Sequence, residues 1–176
     1  VNQWIYALTV EEEALATRIG YLRQEPMLGQ PERNRNYSEG DVREAWQHMV
    51  TVGSEIAAAR MLGLWDFVPH VNTFKSRQDI PGYEVRYSFS KDRGHSLRFN
   101  SAVDALEEIY ILTAHGLEAV TRRTVDTDWK GTPYSALGWA YGYEIEQPKF
   151  LYQGSNYYVH WRELNPMESL PPYPRP

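Results

Sequence analysis

The chain has 176 residues, 42% of them hydrophobic and 23% charged, enough apolar material for one domain with a buried core. Eighteen Lys and Arg against 23 Asp and Glu leave a net charge of −5, which excludes a polybasic protein that coats nucleic acid by charge alone. With no Cys there is no disulfide framework, no thiolate zinc site and no thiol nucleophile.

The N-terminal stretch Val1 to Val10 has no basic segment and runs into Glu11, Glu12 and Glu13, which is not a secretory signal. No stretch approaches the roughly 18 consecutive apolar residues of a membrane span. The expectation is a cytoplasmic protein with no membrane partner.

Thr9-Val-Glu-Glu12 has the form of a capping box and predicts a helix over 10–24. Pro26, Gly29 and Pro31 then break the chain. From Asp41 to Leu64, the apolar residues Val42, Ala45, Trp46, Met49, Gly53, Ile56 and Ala57 fall at helical spacing, with Gly63 as the stop. Glu55 sits on the shoulder of this stripe, half-buried, where a carboxylate costs free energy unless it has a partner.

After Pro69 the pattern becomes extended. Val71 to Gln78 and Tyr83 to Ser90 flank Ile80-Pro81-Gly82, with Pro and Gly in the order of a type II turn. Val85, Tyr87 and Phe89 alternate with Glu84, Arg86 and Ser88. Ser96 to Asn100 reads as a strand and Ser101 to Glu108 as a short helix. Glu108 to Ala114, Leu117 to Arg122, Ala136 to Ile145 and Asn156 to Trp161 read as strands. The tail from Pro166 holds five prolines in its last eleven residues and reads as irregular. The order predicts a single α+β domain over 1–165, its N-terminal helices packed on a mixed, mainly antiparallel sheet, followed by a Pro-rich tail over 166–176.

Charge is uneven. Residues 70–100 carry six basic groups (Lys75, Arg77, Arg86, Lys91, Arg93, Arg98) against three acids, whereas the flanking segments 1–69 and 101–176 each carry six against ten. The island is either a solvated hairpin of alternating charge or a surface that holds the DNA backbone through Arg77, Lys91, Arg93 and Arg98.

Within it lies Asp79-Ile-Pro-Gly-Tyr-Glu84-Val-Arg86. If Ile80 and Tyr83 close a tight turn, Asp79 and Glu84 become cross-strand neighbours, their Cβ atoms about 5 Å apart. Two like charges so placed need compensation, either by a divalent cation or by Arg86, Lys75 and Arg77 as ordinary ion pairs. His48, a helical turn or two from Glu55, is either a residue that orients it or a plain surface or core histidine, and His70, His95, His115 and His160 show no metal-ligand spacing. The six Trp and 13 Tyr can stack on bases or sugars but are assigned mainly to the core.

A helix acid, then Asp, then Glu-x-basic on a strand resembles the PD-(D/E)XK nuclease superfamily. Gly53-Ser-Glu55-Ile-Ala-Ala-Ala-Arg60 with Leu62-Gly63, Val71-Asn-Thr-Phe-Lys75, the hairpin, Gly138-Trp139, Tyr157-Tyr-Val159 and Glu163-Leu164 are similar to a family of uncharacterised phage and prophage proteins. The resemblance implies a restriction-endonuclease-like core, metal-dependent DNA phosphodiester hydrolysis and the cytoplasm of a bacterial host. It implies Mg²⁺ or Mn²⁺ held by Asp79, Glu84, the Val85 carbonyl and Glu55. Arg86 stands where that family usually has Lys; arginine keeps its proton and cannot act as a base, but as a catalytic residue beside Asp79, Glu84 and Glu55 it can hydrogen-bond a phosphate oxygen or stabilise the transition state, with Lys75 as the alternative source of an ammonium. The alternative is a non-catalytic module of the same fold that binds DNA or a partner protein.

Overall fold

A computed structural model describes residues 3–24, 41–71, 78–89, 94–115 and 129–172. The expected strand Leu117 to Arg122, most of Val71 to Gln78, and Lys75, Arg77, Lys91 and Arg93 lie outside the described residues.

Strand β1 (Ile5–Tyr6) precedes helix α1 (Val10–Gln24). The capping box forms as its residues dictate. Thr9 Oγ1 accepts from the Glu12 N–H at 3.2 Å, and Glu12 Oε2 accepts from the Thr9 N–H at 3.0 Å. The other Glu12 oxygen pairs with Arg60 Nε at 2.7 Å, tying the start of α1 to the end of helix α2 (Asp41–Met61). Gly63, at φ +78°, ends α2 in a Schellman motif. The Leu64 N–H reaches the Ala59 carbonyl at 2.9 Å and the Gly63 N–H reaches that of Arg60 at 3.0 Å.

The strands β2 (Tyr83–Tyr87), β4 (Ile109–His115), β5 (Tyr134–Tyr141) and β1 form one sheet in the order β1-β5-β4-β2. β2 and β4 run parallel; β5 is antiparallel to β4 and β1. A second, antiparallel sheet has the order β3-β7-β6, from β3 (Ser96–Asn100), β6 (Leu151–Gln153) and β7 (Asn156–His160).

The side-chain clusters show how the layers stack. Tyr83, Val85, Ile111 and Trp139 of the first sheet pack with Ala58 and Ala59 of α2. Tyr110, Leu112 and Ala140, on its opposite face, pack with Leu97, Phe99 and Val159 of the second sheet. The four-stranded sheet is therefore covered by helices on one face and by the small sheet on the other. Burial on both faces explains why β4 is apolar almost throughout rather than alternating.

This is an α+β fold with mixed and antiparallel sheets, as the element order implies. Several boundaries differ from expectation. Ser101 to Glu108 forms turns instead of a helix, because Asp104 folds back on Asn100. The Asp104 N–H donates to the Asn100 carbonyl at 2.8 Å, and Asp104 Oδ2 accepts from the Asn100 N–H at 2.7 Å. The strand expected over 136–145 ends at Tyr141 and continues as the single-turn helix α3 (Gly142–Ile145). Met167, in the expected tail, is buried in the core, and the Trp139 indole N–H donates to the Pro166 carbonyl at 3.1 Å. Among the described residues no helix is long and apolar enough to cross a membrane.

Candidate functional site

The hairpin before β2 closes as its residues require. Ile80 and Tyr83 exchange backbone hydrogen bonds of 3.1 and 2.8 Å, leaving Pro81 and Gly82 at the tip. Gly82 takes φ +88°, the left-handed value of the third residue in a type II turn. Asp79 and Glu84, the next residues out, are 6% and 8% exposed.

The two acids act locally in different ways. Asp79 Oδ2 accepts from the Val85 N–H at 2.9 Å. Glu84 lies 3.6 Å from Arg86, whose guanidinium also donates to Asp104 at 2.8 Å and sits over the Tyr110 ring at 5.4 Å. Arg86 thus faces two carboxylates and an aromatic ring between the sheets. Burial, with Asp104 and Glu108 nearby, raises the Tyr110 hydroxyl pKa above its usual value.

Glu55 is fully buried, 1% exposed, rather than half-buried. Its two oxygens accept from Nη1 and Nη2 of Arg23 at 2.6 and 2.7 Å, and Arg23 Nε donates to the His70 carbonyl at 2.8 Å. This is a bidentate, charge-assisted pair between α1 and α2.

The sheet separates the proposed ligands. Glu55 belongs to the helical layer. Glu84 and Arg86 occupy the register positions opposite Tyr110 and Leu112, which face the second sheet. Val85 points toward the helices. Among the described residues, no group of three or more His, Asp or Glu is placed to hold a metal ion. Of the four ligands that the resemblance implies, Glu55 is thus held apart from Glu84 by the sheet. The physical reason is that Arg23 occupies both oxygens of Glu55 within the helical layer, while the Glu84 side chain is on the opposite face of the sheet.

Of the basic island, Arg98 is exposed on the outer face of the small sheet, where it donates to Asn156 Oδ1 at 3.0 Å. Two partners escaped the sequence reading. Arg23 carries a signal in retrospect, since Ala16, Ile19 and Arg23 lie on one helical stripe and all three are buried. Asp104 carries none, because its role depends on a turn that sequence pattern reads as helix.

A second buried polar cluster lies at the far ends of β2 and β4. The Tyr87 hydroxyl and His115 Nδ1 are 2.6 Å apart, and the His115 ring packs 4.1 Å from that of Tyr134. Burial lowers the His115 pKa to about 4 and raises that of Tyr87. His115 is therefore neutral in the folded protein at pH 7.

Comparison with protein-family models, with curated proteins and with solved structures gives no match for this chain.

Proposed function

We propose that the protein is a non-catalytic module that holds DNA through its basic island. The observation that carries this reading is the Arg23–Glu55 pair: the helix acid that a metal centre would recruit is neutralised, oxygen by oxygen, by a guanidinium. Arg86 is engaged too, by a 2.8 Å hydrogen bond to Asp104 and by Glu84 at 3.6 Å. The acids near the hairpin then serve the fold, and the excess of positive charge in the sequence of residues 70–100 suits an anionic partner. The restriction-endonuclease-like core and the bacterial cytoplasmic setting belong to the same proposal. A mixed sheet backed by two helices supports the first of these.

A second reading, Mg²⁺- or Mn²⁺-dependent DNA hydrolysis, draws on one specific observation: Asp79 and Glu84 are both buried and flank a two-residue turn. One experiment separates the two. The full chain is incubated with DNA and either cation, and binding is measured across a salt series. The binding reading expects affinity that falls with salt and no cleavage. Cleavage that disappears in Glu84→Ala would replace it with the hydrolytic reading.

A further inference from the structure

The outer face of the small sheet differs from the rest of this acidic protein. The three strands Ser96–Asn100, Leu151–Gln153 and Asn156–His160 contain no Asp or Glu, although the chain holds 23 of them. The surrounding run from Gln147 to Arg162 also lacks a carboxylate, while it carries exposed Lys149 and Arg162. Alternation sends Leu97, Phe99 and Val159 inward to the core. Arg98 and Tyr158, paired directly across β3 and β7, therefore face outward.

Two aromatic rings stand on this face. Tyr152 is 66% exposed and Tyr158 40%. Their centroids are 5.4 Å apart at an interplanar angle of 73°, so the rings offer faces in different directions. A sheet whose own strands combine exposed rings and a guanidinium with no carboxylate suits a strand whose bases are free to stack and whose phosphates need a cation. A duplex keeps its bases stacked on one another and offers the rings nothing.

We infer that this face binds single-stranded nucleic acid, with unpaired bases stacked on Tyr152 and Tyr158 and a phosphate held by Arg98. The inference rests on the DNA-binding reading above and adds to it the strandedness of the ligand and the two residues that read it. Charge complementarity decides the occupant.

The test uses the full chain and fluorescein-labelled oligothymidylate, with a mixed-sequence duplex of equal length as the competitor, followed by fluorescence anisotropy. The single strand is expected to bind more tightly than the duplex. Tyr152→Leu and Tyr158→Leu are each expected to weaken single-strand binding about tenfold, with Tyr→Phe at either position restoring it. Arg98→Gln should weaken binding and reduce the slope of log K against log salt by roughly one. Unchanged melting curves establish that the variants fold. DNA binding that ignores both ring substitutions, or that favours the duplex, overturns the stacking platform and leaves the DNA-binding reading standing. Failure to bind either form overturns both. If the face instead seats a second copy of this chain, Tyr158→Leu changes the sedimentation of the free protein without touching oligonucleotide affinity, which also refutes the inference.

Discussion

Removing Arg23 tests whether the helix acid is a structural charge or a ligand in waiting. In Arg23→Met, the Glu55 carboxylate keeps its burial and loses both donors, at 2.6 and 2.7 Å, while the His70 carbonyl loses a third bond of 2.8 Å. Stranding one member of a buried ion pair costs about 3–5 kcal/mol, because the desolvation already incurred is no longer offset. That is a fifth or more of the roughly 5–15 kcal/mol by which a domain is stable. With a urea dependence of about 2 kcal/mol per molar, the midpoint of unfolding should fall by roughly 2 M. Replacing both residues, as Arg23→Met with Glu55→Leu, removes the charges together and should recover most of the loss. Urea titrations followed by tryptophan fluorescence measure all three proteins. A loss below about 1 kcal/mol in Arg23→Met would refute the reasoning, as would a double variant no better than the single one. A Mg²⁺-dependent rise in melting temperature that vanishes in Glu55→Gln would refute it from the other side, since a ligand stabilises the state that binds it.

Other expectations follow from burial and backbone geometry. Because the His115 pKa is depressed to about 4 from 6.5, its contribution to stability is complete above pH 6.5 and is lost as the pH falls toward 4. Over that window the unfolded chain takes up a proton that the folded one refuses, a difference of up to about 3 kcal/mol. Denaturation at pH 7 and pH 4.5 should show a smaller difference in His115→Gln than in the wild type, and equal differences would count against the buried neutral imidazole. Gly20→Ala, ordinarily favourable in a helix, should destabilise by about 1–3 kcal/mol in thermal melts, because the new Cβ would lie 2.7 Å from the Met49 backbone across the α1–α2 contact. Gly63→Ala meets open space but must hold φ +78°, so its cost should be only about 1–2 kcal/mol, and a larger loss would show that the Schellman turn is not the whole story.

The helices were legible because their signals are local. Thr9 and Glu12 define the start of α1 within four residues, and Gly63 defines the end of α2 by a backbone angle that other residues resist. Elements set by contacts distant in sequence were not legible. β1 and β6, two and three residues long, exist because a neighbouring strand offers hydrogen bonds, which no periodicity records. The turn at Gly142 occurs where the chain meets the Ala105 carbonyl and Leu106, again a tertiary contact. The candidate site divides in the same way. The hairpin, its tight turn and the need of Glu55 for a partner could be argued from the residues. The partner itself could not, because Arg23 lies 32 positions away on another helix. Nor could the opposition of Glu55 and Glu84 across the sheet be foreseen without knowing which face of β2 the helices cover.

That opposition bears on how acid-x-base patterns should be interpreted. On a strand, Glu84 and Arg86 share a face by alternation alone, so any such triplet can bring a carboxylate and a cation within ion-pairing distance. Whether the pair then binds metal or closes on itself depends on what else occupies that face. Here the face contains Asp104, held by the Asn100 backbone, and the ring of Tyr110. Both engage Arg86, leaving Glu84 beside a guanidinium whose charge is already shared with another acid. A lysine at the same position would be a point charge on a flexible stem, unable to satisfy Asp104 and Glu84 with one planar fork. Arginine at position 86 is thus suited to a triplet that joins β2 to the turn after β3.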